Sequence, residues 1–503
     1  MPSSAVPLYR IREMAQSTNE ENLIPYQYYT SEAECNIEIK KSKLGGRGLF
    51  ACRPIKQGSL IFANKPLVVG PRADCTGVFC SVCYISSDSC YPCEKCQINI
   101  CSEECKFSPD HVKLCNFVID NWKIKSNPQN NLDISNILIY LHFLILSENK
   151  KSILKIYQKD KTKNIQNQIK SLENFKNIIP PDQITFIHMI EELLKVNSFR
   201  IANSVDNKKI PLRGFYPLSA FLNHCCVPNT RNIFRTDYEM AVYATKDIAA
   251  GEEILTCYTG LLWCTPARRV QLYKTKRFWC TCSRCQDNTE RGTNLSAVKC
   301  LLRKDCVGVL LPIQPTNPTT DWKCDMCHAN VSSEQISTIH SVLGSLVGTI
   351  DLDDQFRLES LVLERLAKFV PYSNQIFVDL RFRLAVKLGF ADGLKLNELS
   401  ESRLSLKENL CRGTLRVLAA LGVGDAHLRG LVLYHLHAAL AERARRYPDL
   451  YEELKSEIEN CIEQAYHILQ GDISAPPDLE LRHRYLGPGC DKPQEEKFFI
   501  LDK

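Results

Sequence analysis

The chain has 503 residues and a formal net charge of +6, and 44% of its residues are hydrophobic and 24% charged. This is an ordinary globular composition, long enough for about two to four domains. The charge is mild for the length and no dense basic stripe accompanies it, so direct nucleic-acid binding is expected to be weak or absent.

The N-terminal MPSSAVPLYR lacks the basic-then-apolar order of a signal peptide, and the longest apolar run, ILIYLHFLIL at 137–146, is too short to span a bilayer. We therefore expect a protein of the cytoplasm, the nucleus or both, neither secreted nor membrane-bound. Its 25 cysteines are then not expected to form disulfides, because those compartments are reducing. The spacing of the cysteines indicates what they do instead.

Residues 1–36 show no clear period and are predicted to form a loose N-terminal arm. From residue 37, the segments IEIKKS, GLFACRPI, SLIFANK and LVVG predict short strands broken by turns. Within LGGRGLF, three glycines surround Arg47. Glycine lets the backbone approach a ligand closely, although a simple turn between strands explains the same pattern.

Eight possible metal ligands are crowded into residues 80–115. They form four pairs, and each spacer is short enough for both side chains to clamp one side of a tetrahedral zinc. Interleaved pairing predicts two zinc sites, one of Cys80, Cys83, Cys101 and Cys105 and one of Cys93, Cys96, His111 and Cys115. Cys75 and Cys90 fall outside the pairing and are expected to be bystanders. A run of buried free cysteines does not account for four such clamps.

The segment 116–196 is rich in Asn, Lys and Ile, and QITFIHMIEELLKV has apolar residues at helical spacing. Strand patterns return after Phe199, and EMAVYATKDIAAGEEILTCY predicts two strands, the second running into Tyr258. ACRPIKQGSLIF (51–62) and ATKDIAAGEEIL (244–255) share an Ala, an Ile and then a Gly three residues on. This short echo, which coincidence also explains, suggests that both segments belong to one β-fold.

Two further stretches carry cysteines whose partners are not local. FWCTCSRC supplies Cys280, Cys282 and Cys285, one thiolate short of a closed structural zinc site. The fourth ligand must come from elsewhere, and FLNHCCVPNT (221–230) is one candidate source. Taken alone, that stretch also suggests a Cys/His nucleophile site.

The last cysteine cluster precedes a helical tail. Its members are Cys300, Cys306, Cys324 and Cys327. The sharp C-x-x-C in WKCDMC favours a small zinc ribbon, with ordinary thiols in a loop as the alternative. Residues 331–503 have helical periodicity and predict a stacked, TPR-like array, although no clean TPR repeat is present.

Five motifs in residues 37–285 occur in the right order to resemble those of the SET and MYND domain proteins, protein-lysine methyltransferases in which a MYND zinc finger interrupts a SET domain. The first cysteine cluster resembles the MYND finger, and GGRGLFA the N-terminal SET motif. NHCCVPN resembles the family's N-H-x-C-x-P-N, GEEILTCY its G-E-E run ending in tyrosine, and FWCTCSRC its post-SET motif. The later cysteine segment and the helical tail look most like the arthropod branch.

The resemblance implies an α+β fold: a β-rich SET domain split by the finger and a helical insert, then a zinc-binding post-SET segment and an all-α, TPR-like domain. The implied boundaries are 1–36 for the arm, 37–79 for the first SET part, 80–115 for the finger, 116–196 for the helical insert, 197–262 for the second SET part, 263–330 for the post-SET and zinc-ribbon segment, and 331–503 for the helical domain.

The resemblance also implies residue roles. Tyr258 would be the catalytic tyrosine, and Phe199 would border the lysine channel. The residues implied to bind S-adenosyl-L-methionine are Gly45, Gly46, Arg47, Asn197, Asn223, His224 and Phe278. The fourth position of N-H-x-C-x-P-N implies that Cys226, and not Cys225, completes the zinc site of Cys280, Cys282 and Cys285. Three structural zincs are then expected, and the ribbon would add a fourth.

One residue of the predicted channel departs from the family pattern. Active members usually carry an aromatic residue two positions before that of Phe278, where this chain has Lys276. A cation there would repel a substrate lysine or alter its desolvation if it faces the channel, and it has no such effect if it points to solvent.

Two functions therefore compete. The first is methyl transfer to a lysine of a histone or another protein. The second is a weakly active or inactive zinc-finger adaptor or transcriptional corepressor that binds proline-containing peptides. A RING-like ubiquitin ligase shares cross-braced zinc but does not explain the SET motifs.

Overall fold

The computed structural model describes residues 37–75, 77–122, 137–160, 177–202, 209–348, 351, 354–361, 366, 369–390 and 394–501. The predicted N-terminal arm and part of the predicted helical insert lie outside these residues. No helix in the described ranges is both long and apolar enough to cross a membrane. The predicted α+β class is confirmed, because a β-rich body is followed by a helical C-terminal region.

The described strands are short and lie in four blocks of the chain, at residues 37–71, 91–100, 198–256 and 298–331. In chain order they are β1 (Ile37–Lys41), β2 (Arg47–Ala51), β3 (Leu60–Asn64), β4 (Val68–Pro71), β5 (Tyr91–Pro92), β6 (Asn99–Ile100), β7 (Ser198–Arg200), β8 (Leu212–Phe215), β9 (Asn223–His224), β10 (Thr230–Phe234), β11 (Met240–Ala244), β12 (Glu253–Thr256), β13 (Val298–Lys299), β14 (Val309–Pro312), β15 (Trp322–Cys324) and β16 (Asn330–Val331).

The β-body combines strands from before and after the helical insert. Its sheets have the spatial orders β1-β2-β12-β9, β10-β11-β3 and β4-β8-β7. β12 pairs antiparallel with β2 and parallel with β9, which places the two strands that carry the NHCCVPN and GEEIL motifs side by side. Alternation of side chains sends Ile37 and Ile39 of β1 into the core, as the period of two predicts.

The two echoing segments face each other across this body. The N–H groups of Ile55 and Ile248 each donate to the other residue's carbonyl, both at 2.9 Å. The Gly58 N–H donates to the Ala244 carbonyl at 2.9 Å, and the Ala51 N–H donates to that of Glu252 at the same distance. The echo therefore marks two corners that hydrogen-bond to each other within one β-fold.

The helices form two groups, around the zinc finger and β-body and in the C-terminal region. In chain order they are α1 (Glu103–Lys106), α2 (Pro109–Asn121), α3 (Leu138–Leu144), α4 (Glu148–Ile153), α5 (Pro181–Asn197), α6 (Thr265–Lys276), α7 (Ser283–Gln286), α8 (Ser333–Gly348), α9 (Gln355–Ser360), α10 (Gln375–Lys387), α11 (Glu401–Leu421), α12 (His427–Arg446), α13 (Tyr451–Leu469), α14 (Leu479–Leu486) and α15 (Gln494–Phe498).

Helices α3 and α5 cover the β4-β8-β7 sheet. The approach of α3 is close, because a Cβ added to Gly70 of β4 would lie 2.7 Å from the Ile139 Cβ. Six of the seven residues of α3 are buried, which accounts for the apolar run that the sequence shows there. The helices of the insert thus cover the β4-β8-β7 sheet of the β-body. Helix α5 ends at Asn197, beside the candidate site.

The C-terminal helices build a second core around α12. This helix is buried almost all round from Val432 to Ala444, with α11 and α13 packed against it. Before it, β13 to β16 form a small antiparallel sheet in sequential order, with its own core around Trp322. The chain therefore has separate apolar cores in the β-body, the ribbon and the helical region.

Candidate active site and metal centres

The fold brings together each of the four predicted ligand sets. Within each set, the four ligand atoms lie within 4.8 Å of one another. The sets are Cys80, Cys83, Cys101, Cys105; Cys93, Cys96, His111, Cys115; Cys226, Cys280, Cys282, Cys285; and Cys300, Cys306, Cys324, Cys327. Thiolate and imidazole donors in fours suit tetrahedral zinc, and each set could hold one ion.

The zinc finger shows how local structure prepares a ligand. The His111 Nδ1–H donates to the Lys106 carbonyl at 2.6 Å, which leaves Nε2 facing the Cys96 Sγ at 3.5 Å. Such an outer hydrogen bond fixes the tautomer that a metal-bound histidine needs. Ser108 caps α2 by accepting the His111 N–H, so the start of the helix also sets the position of the ligand.

The third set joins the turn after β9 to the loop around α7. Cys226 Sγ lies 3.5 Å from Cys285 Sγ and 3.9 Å from Cys280 Sγ. The adjacent Cys225 is not in the ligand set. Its N–H donates to the Thr256 carbonyl at 2.9 Å, and its Sγ accepts the Val227 N–H at 3.4 Å.

The fourth set lies within the small ribbon. Cys300 and Cys327 approach to 3.7 Å between Sγ atoms, and Cys306 and Cys324 approach to 3.6 Å. Gly308 lies against this set, because a Cβ there would come within 2.7 Å of the Cys324 Sγ. Strand pairing and the small Gly308 thus bring Cys300 and Cys306 together despite the long spacer between them. Neither feature can be predicted from the spacing of the ligands.

A buried ion network beneath the third set was missed by sequence reasoning. Arg268 Nη1 lies 2.7 Å and Arg284 Nη2 3.1 Å from Glu290 Oε2, and all three side chains are buried. Arg268 Nη2 also lies 3.6 Å from the Cys285 Sγ. Four thiolates around one zinc carry net negative charge, and the surplus guanidinium charge offsets it. The three charges lie in α6, in α7 and after α7, and this scattered placement gave no periodic signal for the contact.

Gly45 and Gly46 form an exposed, open turn between β1 and β2. Their φ angles are +122° and +61°, and nothing lies within 4 Å of a Cβ added to either. The carbonyl of the next residue, Arg47, accepts the Asn223 Nδ2–H at 3.1 Å. The Arg47 guanidinium donates to the Ile156 carbonyl and lies 5.1 Å from the centre of the Phe221 ring. Backbone groups of the turn are therefore accessible, while the Arg47 side chain packs inward.

Glu253 is a second residue that sequence reasoning missed. Its carboxylate accepts from Asn223 Nδ2 at 2.7 Å and from Ser42 Oγ at 2.9 Å. It thereby links β12, β9 and the turn that begins at Ser42. Glu253 lies in the GEEIL motif, so the signal was present, but only the register of β12 against β2 shows where its side chain goes.

Tyr258 is held at both ends. Its hydroxyl donates to the Leu222 carbonyl at 2.5 Å, and its backbone N–H donates to His224 Nδ1 at 3.0 Å. β12 ends at Thr256, two residues short of the predicted strand end, because the chain turns there to bring this N–H onto His224. Burial raises the pKa of Tyr258 above its ordinary value, so the hydroxyl stays protonated at neutral pH.

His224 connects the tyrosine to the third ligand set. Because its Nδ1 accepts a hydrogen bond, the neutral ring carries its proton on Nε2, which lies 3.2 Å from the Cys226 Sγ. Burial lowers the pKa of His224 to about 4 and so favours this neutral form. The His224 ring centre is 5.2 Å from that of Tyr258 and 5.9 Å from that of Phe278.

The other predicted site residues lie at the end of α5. Asn197 is buried and donates to the Gln158 and Leu193 carbonyls, both at 2.8 Å, so its side chain amide is used to tie the chain locally. Phe199 packs edge-on against Tyr216, with ring centres 5.9 Å apart.

Lys276, the last residue of α6, faces the protein and not the solvent. Its Nζ donates to the Val196 carbonyl and lies 3.4 Å from that of Lys195, at the end of α5. The same Nζ lies 5.3 Å from the centre of the Tyr258 ring. Burial, with a smaller contribution from Arg200, lowers the pKa of Lys276 to about 8. Of the two orientations expected from the sequence, the structure has the inward one.

A family model for the SET domain matches residues 46–259. This segment of the chain carries a SET domain, and the chain is similar to the SET and MYND domain proteins. The resemblance expected from the five motifs is thus confirmed. The match begins at Gly46 and ends just after Tyr258, so Lys276, Phe278 and the post-SET cysteines lie beyond it.

Individual relatives agree with this SET assignment. SET domain-containing protein SmydA-8, isoform B, of Drosophila melanogaster is 28% identical over 79% of this chain and 90% of its own length, in accord with the arthropod branch. Histone-lysine N-methyltransferase SMYD3 of Homo sapiens is 27% identical over 57% of this chain and 70% of its own. N-lysine methyltransferase SMYD2 of Rattus norvegicus is 26% identical over 51% and 61%.

Among solved structures, the SET domain of LSMT bound to lysine and AdoHcy aligns over 96% of both chains at 12% identity. Its TM-score of 0.28 is too low to support a structural comparison.

Proposed function

We propose that this chain is an S-adenosyl-L-methionine-dependent methyltransferase that transfers a methyl group to a lysine of a histone or another protein. The SET domain and the relatives named as lysine methyltransferases support the reaction class. The observation that carries the proposal is the fixed position of the Tyr258 hydroxyl. It donates a hydrogen bond to the carbonyl of Leu222, the residue that directly precedes Asn223 and His224.

The cofactor would lie against the Gly45–Gly46 turn and the Asn223–His224 strand. Both glycines leave open space beside exposed backbone, and Asn223 ties strand and turn together through the Arg47 carbonyl. S-adenosyl-L-methionine, when bound, supplies a methyl group on a sulfonium. Phe278, packed on the His224 ring, would cover it from the post-SET side.

Tyr258 would orient the acceptor amine. Its hydroxyl hydrogen is engaged with Leu222, so its oxygen lone pairs remain able to accept an N–H from the amine. The acceptor must be neutral to attack, although free lysine has a pKa of about 10.4. A desolvated channel bordered by Phe199 favours the neutral form, and in-line displacement gains most from positioning of this kind.

Two measurements test the proposal. Isothermal titration of zinc-replete protein with S-adenosyl-L-methionine should show binding, and the absence of heat or thermal shift at millimolar cofactor would contradict it. A radiolabel assay on histones and cell extract should then show transfer that Tyr258→Phe lowers by at least about tenfold. Tyr273→Phe, an exposed tyrosine stacked on Trp279, is the matched control. Equal labelling by wild type and Tyr258→Phe would remove Tyr258 from its assigned role.

An adaptor function is the second candidate, and the inward Lys276 favours it because an ammonium borders Tyr258. In that case the zinc finger would bind a proline-containing peptide, and Tyr91 and Phe107 are exposed aromatic residues on its surface. Cofactor binding without any transfer, together with capture of a proline-rich peptide that Phe107→Ser abolishes, would support this alternative.

A further inference from the structure

We propose that Lys276 is a specificity-determining residue: its fixed ammonium places a positive charge on the channel wall, so that the site binds a protonated acceptor lysine weakly and favours the neutral lysine that attacks. This inference rests on the proposed methyl transfer. It states how that site selects the charge state of its acceptor.

Hydrogen bonds to carbonyls at the end of α5 fix the position of the Lys276 ammonium. The last four carbonyls of a helix have no intrahelical partner. At the end of α5, the Ser198 N–H donates to the Leu194 carbonyl. Lys276 Nζ donates to the carbonyls of Val196 and Lys195. A helix C-terminus favours a cation, so these contacts hold the ammonium where it is.

The same contacts direct the charge towards the reaction site. Val196 precedes Asn197, and Phe199 follows two residues later, so the anchor belongs to the segment proposed to border cofactor and channel. On its other side the Nζ lies 5.3 Å from the Tyr258 ring centre. Lys276 therefore lies between a wall of the channel and the proposed catalytic tyrosine.

Within the described part of the chain, no carboxylate lies within ion-pair distance of Lys276 Nζ, and Arg200 on β7 adds to the positive potential. The nearby carboxylate of Asp160 pairs instead with Arg277 Nε at 3.3 Å. Tyr258 is the other titratable group that faces Nζ, and its raised pKa keeps it neutral.

An ammonium and an aromatic ring at this wall act oppositely on the acceptor. A ring attracts an alkylammonium through its π face. Two unit charges about 7 Å apart, at an effective dielectric constant of about 20, repel enough to change a binding constant by roughly fiftyfold. Screening and relaxation reduce this value, so we expect an effect of about five- to tenfold.

Charge variants separate this role from simple helix capping. Lys276→Gln keeps N–H donors for the Val196 carbonyl but removes the charge, whereas Lys276→Arg keeps both. Lys276→Tyr restores a ring and replaces the Gln variant if that one loses zinc or cofactor binding. Lys274→Gln, on the exposed face of the same helical turn, removes the same charge elsewhere. Calorimetry with S-adenosyl-L-methionine and transfer to core histones and cell extract are measured for each.

At pH 7.5 we expect Lys276→Gln to lower KM for core histones about five- to tenfold and to lower kcat by a similar factor, because the acceptor lysine is then bound more tightly but is more often protonated. Lys276→Arg keeps the charge and should not show this joint fall in KM and kcat, and Lys274→Gln should keep the wild-type values. Because Lys276 loses its proton as pH rises through about 8, the KM values of the Gln variant and the wild type should converge by pH 9.5.

Three results would overturn the proposal: an unchanged KM in a Gln or Tyr variant that binds cofactor, an equal fall in KM for the Arg and Gln variants, or a difference in KM between the Gln variant and the wild type that does not change with pH. Loss of cofactor binding by the wild-type protein would instead refute the methyltransferase proposal itself.

Discussion

At the scale of single residues, Cys225 and Cys226 are chain neighbours with different surroundings. They follow the two-residue strand β9. Cys226 Sγ lies 3.5 Å from Cys285 Sγ within the set that also holds Cys280 and Cys282. Cys225 Sγ accepts the Val227 N–H and lies outside that set. The early suggestion of a Cys/His nucleophile is not supported, because His224 Nε2 faces the Cys226 Sγ within the ligand set.

Replacing each cysteine in turn tests this difference. We expect Cys226→Ser to lower the zinc content from about four to about three per chain, since only this thiolate completes its set. Plasma mass spectrometry of purified protein gives the count. Cys225→Ser is the matched control and should retain all four ions. Equal zinc loss from both variants would mean that the adjacent thiol is also a ligand.

How much of the site the sequence predicts depends on the distance along the chain. The ligands of the finger follow from their spacing, because clamp geometry is local. In the ribbon, the loose spacer between Cys300 and Cys306 is closed by the pairing of β13 with β14, which spacing alone does not predict. Cys226 is 54 residues from Cys280 and needed the family motif to be assigned. The inward direction of Lys276 could not be predicted, because it depends on carbonyls at the end of a helix some eighty residues earlier in the chain.

At the scale of elements, the cofactor turn depends on the register of β2 against β12. Gly48 lies in β2 where the Glu253 and Asn223 side chains cross it. A Cβ at Gly48 would come within 2.2 Å of Glu253 Oε1 and 2.9 Å of Asn223 Nδ2. The third glycine of LGGRGLF is therefore required for packing, whereas Gly45 and Gly46 serve the open turn.

Gly48→Ala should weaken cofactor binding without loss of zinc. The added methyl group must displace Glu253 or Asn223 and so strain the 2.7 Å hydrogen bond between them. We expect the dissociation constant for S-adenosyl-L-methionine to rise about tenfold, and the free energy of unfolding to fall by about 1–3 kcal/mol. Titration calorimetry and urea unfolding measure the two effects.

Gly344→Ala is the control for this substitution. Gly344 is exposed in α8 with nothing within 4 Å of an added Cβ, so alanine there should leave binding unchanged and raise stability by up to about 1 kcal/mol. Unchanged cofactor affinity in Gly48→Ala would show that Glu253 moves freely and does not hold the turn.

At the scale of the whole molecule, cations from distant elements cap the ends of helices. Lys276 Nζ donates to carbonyls at the end of α5. The buried Lys407 Nζ donates to the carbonyls of Ala385 and Leu388 at the end of α10. Arg231 of β10 donates to the His467 and Ile468 carbonyls at the end of α13, both at 3.2 Å. The carbonyls at these helix ends thus accept hydrogen bonds from residues outside the helix, in the cases of Lys276 and Arg231 from another domain, which sequence periodicity does not reveal.

The Arg231 contact lies in the interface between the β-body and the helical region. Three further contacts support it: the Ile473 N–H donates to the Phe234 carbonyl at 2.7 Å, the Asp425 N–H to the Thr245 carbonyl at 2.8 Å, and Gln57 Nε2 to Asp425 Oδ2 at 2.7 Å. The boundaries proposed from sequence separate these parts in the chain, but backbone hydrogen bonds join them in space.

Arg231→Ala should loosen this junction. The substitution leaves the buried Ile468 carbonyl and the partly buried His467 carbonyl without their donor, and it uncovers the Tyr243 ring, 4.8 Å from the guanidinium carbon. We expect stability to fall by about 2–4 kcal/mol and amide exchange to quicken in residues 465–473. Hydrogen-exchange mass spectrometry resolves that segment from the rest of α13. Arg235→Ala is the control, because its partly exposed pair with Glu239 contributes about 0–1 kcal/mol. Equal exchange in both variants would mean that the two regions are held together without Arg231.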